Sequence, residues 1–137
     1  MVILIDTNVI IDFLTSREPF YTEAERILTW CAQRKIIGFI AAHSFSNCFY
    51  ILRKNCTAKE RKDLLRNLLK ITYVAGIDEK IIINALENDA FTDFEDCIQF
   101  ECAKPIAADY IVTRNTNDFP TTEVKIVTPT EFISLFE

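Results

Sequence analysis

Hydrophobic and polar positions divide the chain into two kinds of segment. Short, nearly continuous apolar runs rich in isoleucine, valine and aromatic residues are typical of buried strands. Between them lie longer segments in which apolar residues recur every three or four positions, as on one face of a helix. The short runs predict five strands, over residues 2–5, 37–41, 71–75, 109–113 and 124–127.

The longer segments predict seven helices, several of which begin at a residue suited to capping. Thr7 or Asn8 is expected to cap the first helix, Thr57 the fourth and Asp78 the fifth. Pro129 suits the first turn of the last helix, where its missing N–H costs nothing. The predicted helices span residues 7–15, 21–34, 44–54, 57–70, 79–88, 93–103 and 129–136.

The alternation of strands and helices predicts the fold class. Helices between strands act as crossovers, which produce a mostly parallel sheet covered on both faces. The near-continuous apolar strands agree, because such strands are buried on both sides. We therefore predict an α/β fold, a three-layer α/β/α sandwich around about five strands. A chain of 137 residues has the size of one domain, so residues 1–137 are expected to form a single domain.

Composition excludes several classes of protein. No apolar stretch approaches the roughly 20 residues that a membrane-spanning helix needs. The apolar start has no basic residue before it and meets Asp6 at once, unlike a signal peptide, so a cytoplasmic protein is expected. The five cysteines form no Cys-x-x-Cys pair and the only histidine is His43, which argues against a zinc site. The cysteines are expected to be mostly small buried residues.

Charge is unevenly distributed along the chain, whose net charge is −5. Residues 53–70 hold seven basic and two acidic side chains, whereas residues 78–101 hold eight acidic side chains and one lysine. The simplest interpretation of both segments is a solvated helix face. A second interpretation is that the basic segment guides a polyanion toward an acidic centre.

Three aspartates form a candidate site once the topology is taken into account. Asp6 comes directly after the first strand, and Asp118 comes a few residues after the fourth. The carboxyl ends of parallel strands share one edge, where open α/β sheets bind their ligands. Asp96 lies early in the helix before the fourth strand, and a crossover helix begins at that same edge. Like charges repel there, so a divalent cation such as Mg²⁺ would best stabilise the cluster.

Each aspartate also has a purely structural interpretation. Asp6 could cap the first helix, and Asp96 could stabilise a helix N-terminus through the helix dipole. Asp118 could be a turn residue before Phe119 and Pro120. Singly, these interpretations are at least as good as a functional one, but together the three positions favour a shared site.

Three stretches of the chain resemble the motifs of PIN-domain ribonucleases, namely LIDTNVIIDFL at 4–14, DFEDCIQFECA at 93–103 and IVTRNTNDF at 111–119. The resemblance spans nearly the whole chain and is closest to VapC-type toxins of toxin–antitoxin systems. It implies an endoribonuclease, dependent on Mg²⁺ or Mn²⁺, that cuts single-stranded RNA by means of an activated water. It also implies an RNA substrate, a small antitoxin protein as partner, and a homodimer.

The resemblance also implies roles for individual residues. Asp6, Asp96 and Asp118 would be the catalytic carboxylates and the metal ligands. Arg114 would contact RNA phosphate or pair with an acid of the site. Thr7 and Asn115 would position a metal-bound water or a phosphate oxygen, and Asn8 belongs to the same motifs. The residues expected to support the site are Thr7, Asn47, Asp93, Thr113 and Asn115.

One position departs from the family pattern. The family usually has an acid, mostly glutamate, on the helix after the second strand, where this chain has Asn47. Ser44 and Asn47 also resemble a capping box, with Ser44 as the cap. Because asparagine brings no charge, metal affinity is expected to be lower than in a four-acid site. An Asn47→Glu variant should then bind metal more tightly if Asn47 lies near the ion.

Other acids near the motifs could supply the missing charge. Asp93 is the best placed, because it lies three residues before Asp96 and hence on the same helix face. Asp12 lies two turns into the first helix and is less suited to reach the site. Glu95 points about a quarter turn away from Asp96 and is a poorer candidate.

Two rival functions belong to other classes. With Asn47 in place of an acid, the chain could be a catalytically degenerate PIN-like domain that binds RNA or a protein. A phosphotransfer domain with an acidic edge would need a lysine after a late strand. Lys104 precedes the fourth strand and Lys125 lies within the fifth, so neither lysine fits that role.

Overall fold

Five parallel strands form the central sheet in the computed structural model, which describes residues 1–137. In chain order they are β1 (Val2–Ile5), β2 (Ile37–Ala41), β3 (Tyr73–Ala75), β4 (Tyr110–Val112) and β5 (Lys125–Val127). The order across the sheet is β3-β2-β1-β4-β5, with every neighbouring pair parallel. The central strand β1 therefore has β2 on one side and β4 on the other, which brings the ends of β1 and β4 together.

Seven α-helices connect and flank the strands, and no helix is both long and apolar enough to cross a membrane. They are α1 (Thr7–Leu14), α2 (Tyr21–Ala32), α3 (Ala42–Ile51), α4 (Ala58–Leu69), α5 (Glu79–Glu87), α6 (Phe94–Ala103) and α7 (Pro129–Phe136). Short 3-10 turns follow α3 at Leu52–Lys54 and β4 at Thr116–Asp118. The predicted elements are all present, and the last three strands are one or two residues shorter than predicted.

Helices cover both faces of the sheet, and alternate residues of β1 divide between two cores. Ile3 and Ile5 belong to one core, with residues of α1, α2, α3, α4 and α7. Leu4 belongs to the other, with residues of α5 and α6. Burial of apolar surface stabilises a fold by roughly 25 cal/mol per Å², so a strand between two cores is apolar throughout. The predicted three-layer α/β/α sandwich is confirmed.

Polar side chains determine where most helices begin. Thr57 and Asp78 cap α4 and α5 as predicted, each accepting a hydrogen bond from a backbone N–H of the first turn. The prediction for α1 is wrong, because its cap is Asp6 and both Thr7 and Asn8 lie inside the helix. The structural interpretation of Asp6 as a helix cap is therefore correct, whatever further role it has.

The start of α3 also differs from the prediction. The helix begins at Ala42, directly after β2, and no side chain caps it. Ser44 therefore lies inside the first turn, where its hydroxyl accepts a hydrogen bond from the Thr7 hydroxyl at 2.7 Å. The predicted capping box of Ser44 and Asn47 is wrong, and the Asn47 side chain is left to contact another element.

Gly38 in β2 allows α2 to pack closely against the sheet. A Cβ at this position would lie 2.7 Å from the sulfur of Cys31, closer than real side chains approach. Cys31 is one of four buried cysteines, and all five cysteines are free thiols. The expectation that the cysteines are mostly small buried residues is confirmed.

Candidate active site

A surface pocket of about 350 Å³ opens at the carboxyl edge of the sheet. Its acidic lining comes from two directions. Asp6 follows β1, while Glu95 and Asp96 lie in the first turn of α6. Arg17 and Arg114 supply the basic part of the lining. The pocket therefore lies where the parallel topology predicts a ligand site.

Asp6 is held by three hydrogen bonds in a nearly buried position, with 6% of the residue exposed. Its Oδ1 accepts from the backbone N–H of Thr7 at 2.7 Å and from Nε2 of Gln99. Its Oδ2 accepts from the Thr113 hydroxyl at 2.7 Å. Burial is the largest influence on this carboxyl and raises its pKa, although the hydrogen bonds act in the opposite direction. A carboxylate oxygen accepts about two hydrogen bonds, so Oδ2 keeps one position for a cation.

Gln99 is a site residue that none of the three motifs singles out for a role. It is 1% exposed on α6, and its Nε2 also lies 3.4 Å from the Thr7 hydroxyl. Its Oε1 is buried without a hydrogen-bond partner. The available sequence signal is spacing, because Gln99 comes three residues after Asp96 and so lies on the same helix face. A polar residue there indicates a contact with the site.

Asp96 is the acid most affected by its neighbours. Its pKa is raised to about 7, first by burial and then by the negative charges of Asp6, Asp93, Asp118 and Glu95. The three aspartates named by the motifs thus lie close enough for the charges of Asp6 and Asp118 to act on Asp96. A divalent cation relieves repulsion of this kind.

Asp118 and Asp93 do not belong to the lining of the pocket. Asp118 is exposed in the 3-10 turn after β4, as its turn-residue interpretation predicted. Asp93 is the N-cap of α6, and its Oδ1 accepts a hydrogen bond from the backbone N–H of Asp96 at 3.0 Å. The prediction that Asp93 lies on the helix face is therefore wrong, because the residue precedes the helix.

Asn47 contacts α6 through Glu95. Its Nδ2 donates a hydrogen bond to Oε1 of Glu95 at 2.5 Å. Burial, followed by the charge of Asp93, raises the pKa of Glu95. The sequence made Glu95 a poorer candidate than Asp93 for supplying the missing charge, because it points about a quarter turn away from Asp96. In the structure, however, Glu95 lines the pocket beside Asp96, and Asp93 does not.

Arg114 forms an ion pair with Asp12. Its Nε lies 2.6 Å from Oδ2 of Asp12 and its Nη2 lies 3.3 Å from Oδ1. The guanidinium also lies over the ring of Phe20, 4.1 Å from the ring centroid. Of the two roles expected for Arg114, the structure shows pairing with an acid, but that acid is buried and does not line the pocket.

Thr113 and Asn8 tie the segment after β4 to α1. Besides donating to Asp6, the Thr113 hydroxyl accepts from Nδ2 of Asn8 at 3.3 Å and from the backbone N–H of Asn115 at 3.1 Å. Oδ1 of Asn8 accepts from the backbone N–H of Arg114 at 3.4 Å. Among the expected supporting residues, Thr7 and Thr113 are thus in direct contact with Asp6, and Asn115 acts through Thr113. Asn8, from the same motif as Thr7, also bonds to Thr113.

The donor atoms suit a divalent cation, although they are not gathered around one point. No three acidic, histidine or cysteine side chains lie close enough together to hold a metal ion as they stand. Carboxylate and amide oxygens are the hard ligands that Mg²⁺ and Mn²⁺ prefer. The buried Oε1 of Gln99 lacks a partner, and Asp6 has an acceptor position to spare. The residues therefore fit such an ion in their chemistry, while the carboxylates would have to draw closer together around it.

Fold and site together define a class, the parallel α/β domains with an acidic site at the carboxyl edge of the sheet. The family model described as PIN domain matches residues 2–117. The chain therefore belongs to the PIN-domain family, as its three motifs predicted. No curated protein matches the sequence significantly.

Solved structures share this fold at low sequence identity. A toxin–antitoxin complex from Klebsiella pneumoniae contains a chain with a TM-score of 0.68 and 24% identity, covering 92% of this chain and 96% of that one. VapBC-1 from nontypeable Haemophilus influenzae contains a chain with a TM-score of 0.70 and 16% identity, and the match covers 95% of this chain and 99% of that one. VapC20 of Mycobacterium tuberculosis is described as a sarcin–ricin loop cleaving toxin. Its TM-score is 0.62 at 12% identity, and the match covers 80% of this chain and 86% of that one. These likenesses confirm the predicted PIN-like fold.

Proposed function

We propose that this protein is a metal-dependent endoribonuclease that cleaves single-stranded RNA and acts as the toxin of a toxin–antitoxin pair. The observation that carries the proposal is the pocket that Asp6 and Asp96 line together, with the charge of Asp118 acting on Asp96. Membership of the PIN family supports it. So does the fold shared with VapC20, which is described as a sarcin–ricin loop cleaving toxin.

The metal site would consist of Asp6, Asp96 and Asp118, holding Mg²⁺ or Mn²⁺. When bound, the ion supplies Lewis-acid stabilisation of charge on the phosphoryl group and activation of a water. Gln99 and Thr113 orient the Asp6 carboxylate through hydrogen bonds, as outer partners commonly do for metal ligands. Asp6 is nearly buried and accepts three hydrogen bonds, which together fix the orientation of its carboxylate.

Binding of the RNA backbone needs a cation at the pocket. Arg17 is exposed in the pocket lining and forms no ion pair, so it is suited to contact a phosphate. Arg114 already pairs with Asp12, and its first role is therefore to hold the segment after β4. The basic residues of 53–70 lie on α4 and the turn before it and would attract RNA at longer range.

Protein partners enter the proposal through the related structures. The Klebsiella pneumoniae structure is a toxin–antitoxin complex. We accordingly expect a small antitoxin that covers the acidic edge of the sheet, and a homodimer of the toxin. A neighbouring reading frame for a short DNA-binding protein would support the pair, and co-purification of the two products would test it.

A second candidate function is a binding module without catalysis. One observation favours it, namely that no three acids are close enough to hold a metal as they stand. The resemblance to the family adds a second reason, because it leads us to expect an acid where the chain has Asn47. Calorimetric titration with Mn²⁺ separates the two functions, because a non-catalytic module need bind no metal.

The proposed activity is tested by incubating the purified protein with single-stranded RNA in the presence of Mg²⁺ or Mn²⁺. EDTA should abolish cleavage, and Asp6→Asn should lower it by more than about 100-fold, beyond the roughly 10–100-fold typical of an outer partner. Asparagine caps helices well, so α1 should remain intact in this variant. Asp89→Asn, at an exposed position away from the pocket, is the matched control. Cleavage that persists in EDTA or in Asp6→Asn would contradict the proposal.

A further inference from the structure

We propose that Glu95 is the fourth carboxylate of the metal site and that Asn47 is the residue that positions it. The inference rests on the proposed metal-dependent function. It goes beyond that function because the motifs assign the metal to Asp6, Asp96 and Asp118 alone. Three observations carry it, namely where Glu95 lies, what holds it, and which of its atoms stay free.

The first observation is location. Three acids line the pocket, and they are Asp6, Glu95 and Asp96. Asp118 is exposed outside the lining, and Asp93 caps α6. Glu95 is therefore in the pocket lining, whereas neither Asp93 nor Asp118 is. The negative charge of Glu95 also acts on both Asp6 and Asp96.

The second observation is the hydrogen bond from Asn47. Residues of α3 pack into one core of the protein and residues of α6 into the other. The bond from Nδ2 of Asn47 to Oε1 of Glu95, at 2.5 Å, therefore joins the two helix layers across the carboxyl edge of the sheet. It holds an otherwise exposed glutamate at the pocket.

The third observation is what remains free. Glu95 forms no ion pair, and the contact with Asn47 is its one side-chain hydrogen bond. Its Oε2 and the second acceptor position of Oε1 are available to a cation. The Asn47–Glu95 pair thus brings one negative charge to this corner of the pocket, the charge that position 47 itself does not carry.

The same geometry changes the expectation for Asn47→Glu. A glutamate at position 47 would stand within hydrogen-bond distance of Glu95 and repel it. The single variant should therefore fail to bind metal more tightly, contrary to the expectation drawn from the sequence. Combining Asn47→Glu with Glu95→Gln moves the negative charge from α6 to α3. The amide at position 95 can then donate a hydrogen bond to the carboxylate at position 47, the reverse of the parent arrangement.

The test is calorimetric titration of Mn²⁺ into the full-length protein, with electron paramagnetic resonance of the bound ion as a second readout. Glu95→Gln should raise the Kd for Mn²⁺ at least about tenfold, and Asn47→Ala should raise it by a smaller factor. The double variant, Asn47→Glu with Glu95→Gln, should return the Kd to within about threefold of the parent. Glu79→Gln, an exposed acid in the first turn of α5, is the control and should leave the Kd unchanged.

The outcomes separate this inference from the proposed function. If Glu95→Gln binds Mn²⁺ as tightly as the parent while Asp96→Asn loses it, the inference is overturned and the proposed nuclease stands. If Glu95→Gln weakens Mn²⁺ binding but the parent cuts no RNA, the inference stands and the proposed nuclease does not. A parent that binds no Mn²⁺ overturns both. Thermal unfolding of each variant confirms that the loss of binding is not a loss of fold.

Discussion

The two sides of the pocket are constructed differently. On the β1–β4 side, Asp6 and Thr113 are buried, and Asp6 accepts three hydrogen bonds. On the α3–α6 side, Glu95 is exposed and accepts one, while the pKa of Asp96 is raised to about 7 by burial and neighbouring charge. The buried side therefore fixes the orientation of the Asp6 carboxylate. The exposed side brings the negative charges of Glu95 and Asp96 together, and a proton or a cation must neutralise them.

The largest effect should be a loss of stability on removing Arg114, whose ion pair with Asp12 holds the segment after β4 on the buried side of the pocket. Arg114→Ala leaves Asp12 unpaired at 1% exposure, and breaking a buried ion pair costs about 3–5 kcal/mol. Because the Arg114 side chain is 23% exposed, we expect the lower end, about 3 kcal/mol, in the free energy of unfolding. Urea denaturation measures it. A lysine side chain cannot form the same two-pronged contact, so Arg114→Lys should lie between the parent and Arg114→Ala. Equal stability of Arg114→Ala and parent would show that Asp12 is solvated when unpaired.

The next effect concerns the orientation of Asp6. Gln99→Leu removes the hydrogen bond to Oδ1 and leaves the backbone bond from Thr7 in place. Mutation of such an outer partner typically lowers metal affinity or activity about 10–100-fold, and we expect a loss in that range for both Mn²⁺ binding and RNA cleavage. Gln33→Leu, at an exposed position after α2, is the control. Unchanged Mn²⁺ affinity in Gln99→Leu would mean that Thr113 and the backbone suffice to orient Asp6.

A smaller effect is expected at the exposed basic residue of the pocket. Arg17→Ala removes the proposed phosphate contact, so the KM for RNA should rise about three- to tenfold while kcat stays the same. The dependence of binding on salt should also weaken, with the slope of log K against log salt falling by about one. Lys35→Ala provides an exposed control away from the pocket. An unchanged salt dependence in Arg17→Ala would assign the phosphate contact to another residue.

The smallest effect is a pH dependence of the metal-free protein. The folded state keeps a proton on Asp96 up to a pH of about 7, whereas the unfolded state releases it near the ordinary value of 3.8. Stability in EDTA should therefore fall as the pH rises from about 4 to about 7, and be level above that. Burial lowers the pKa of His43, which shifts stability in the opposite direction below pH 6.5.

Comparison with a variant isolates the contribution of Asp96. Tm is measured at pH values of about 5 and about 7.5, on either side of the raised pKa of Asp96. Asparagine does not ionise, so the Tm of Asp96→Asn should fall less between these two pH values than the Tm of the parent. Because burial also raises the pKa of Asp6, part of the fall with pH should remain in the variant. An identical pH profile for both proteins would rule out a raised pKa for Asp96.

Local pattern and chain order were enough to predict the fold and the position of the acids. Apolar runs separated by helices allow few arrangements other than a doubly covered parallel sheet, because crossover connections and burial on both faces impose it. Asp6 follows β1 by sequence alone, and Asp96 must lie near the same edge because α6 is the crossover helix into β4. Both positions are consequences of connectivity and do not depend on details of packing.

Side-chain partners far apart in the sequence required the tertiary structure. Asn47 bonds to Glu95 across 48 positions, Gln99 to Asp6 across 93, and Arg114 to Asp12 across 102. These pairings depend on helix starts and rotations that local propensity leaves open by a residue or two. A shift of two residues in the start of α3 was enough to turn a predicted cap into a partner of Thr7.

The acidic edge itself is thus a property of the sequence, because strand order and crossover direction follow from the apolar pattern. Which acids face the pocket, and which are engaged as caps or ion pairs, is a property of packing. Asp93 and Glu95 illustrate the difference, since they are two positions apart in the chain. The helix begins between them, so one carboxylate satisfies the helix N-terminus and the other faces the pocket.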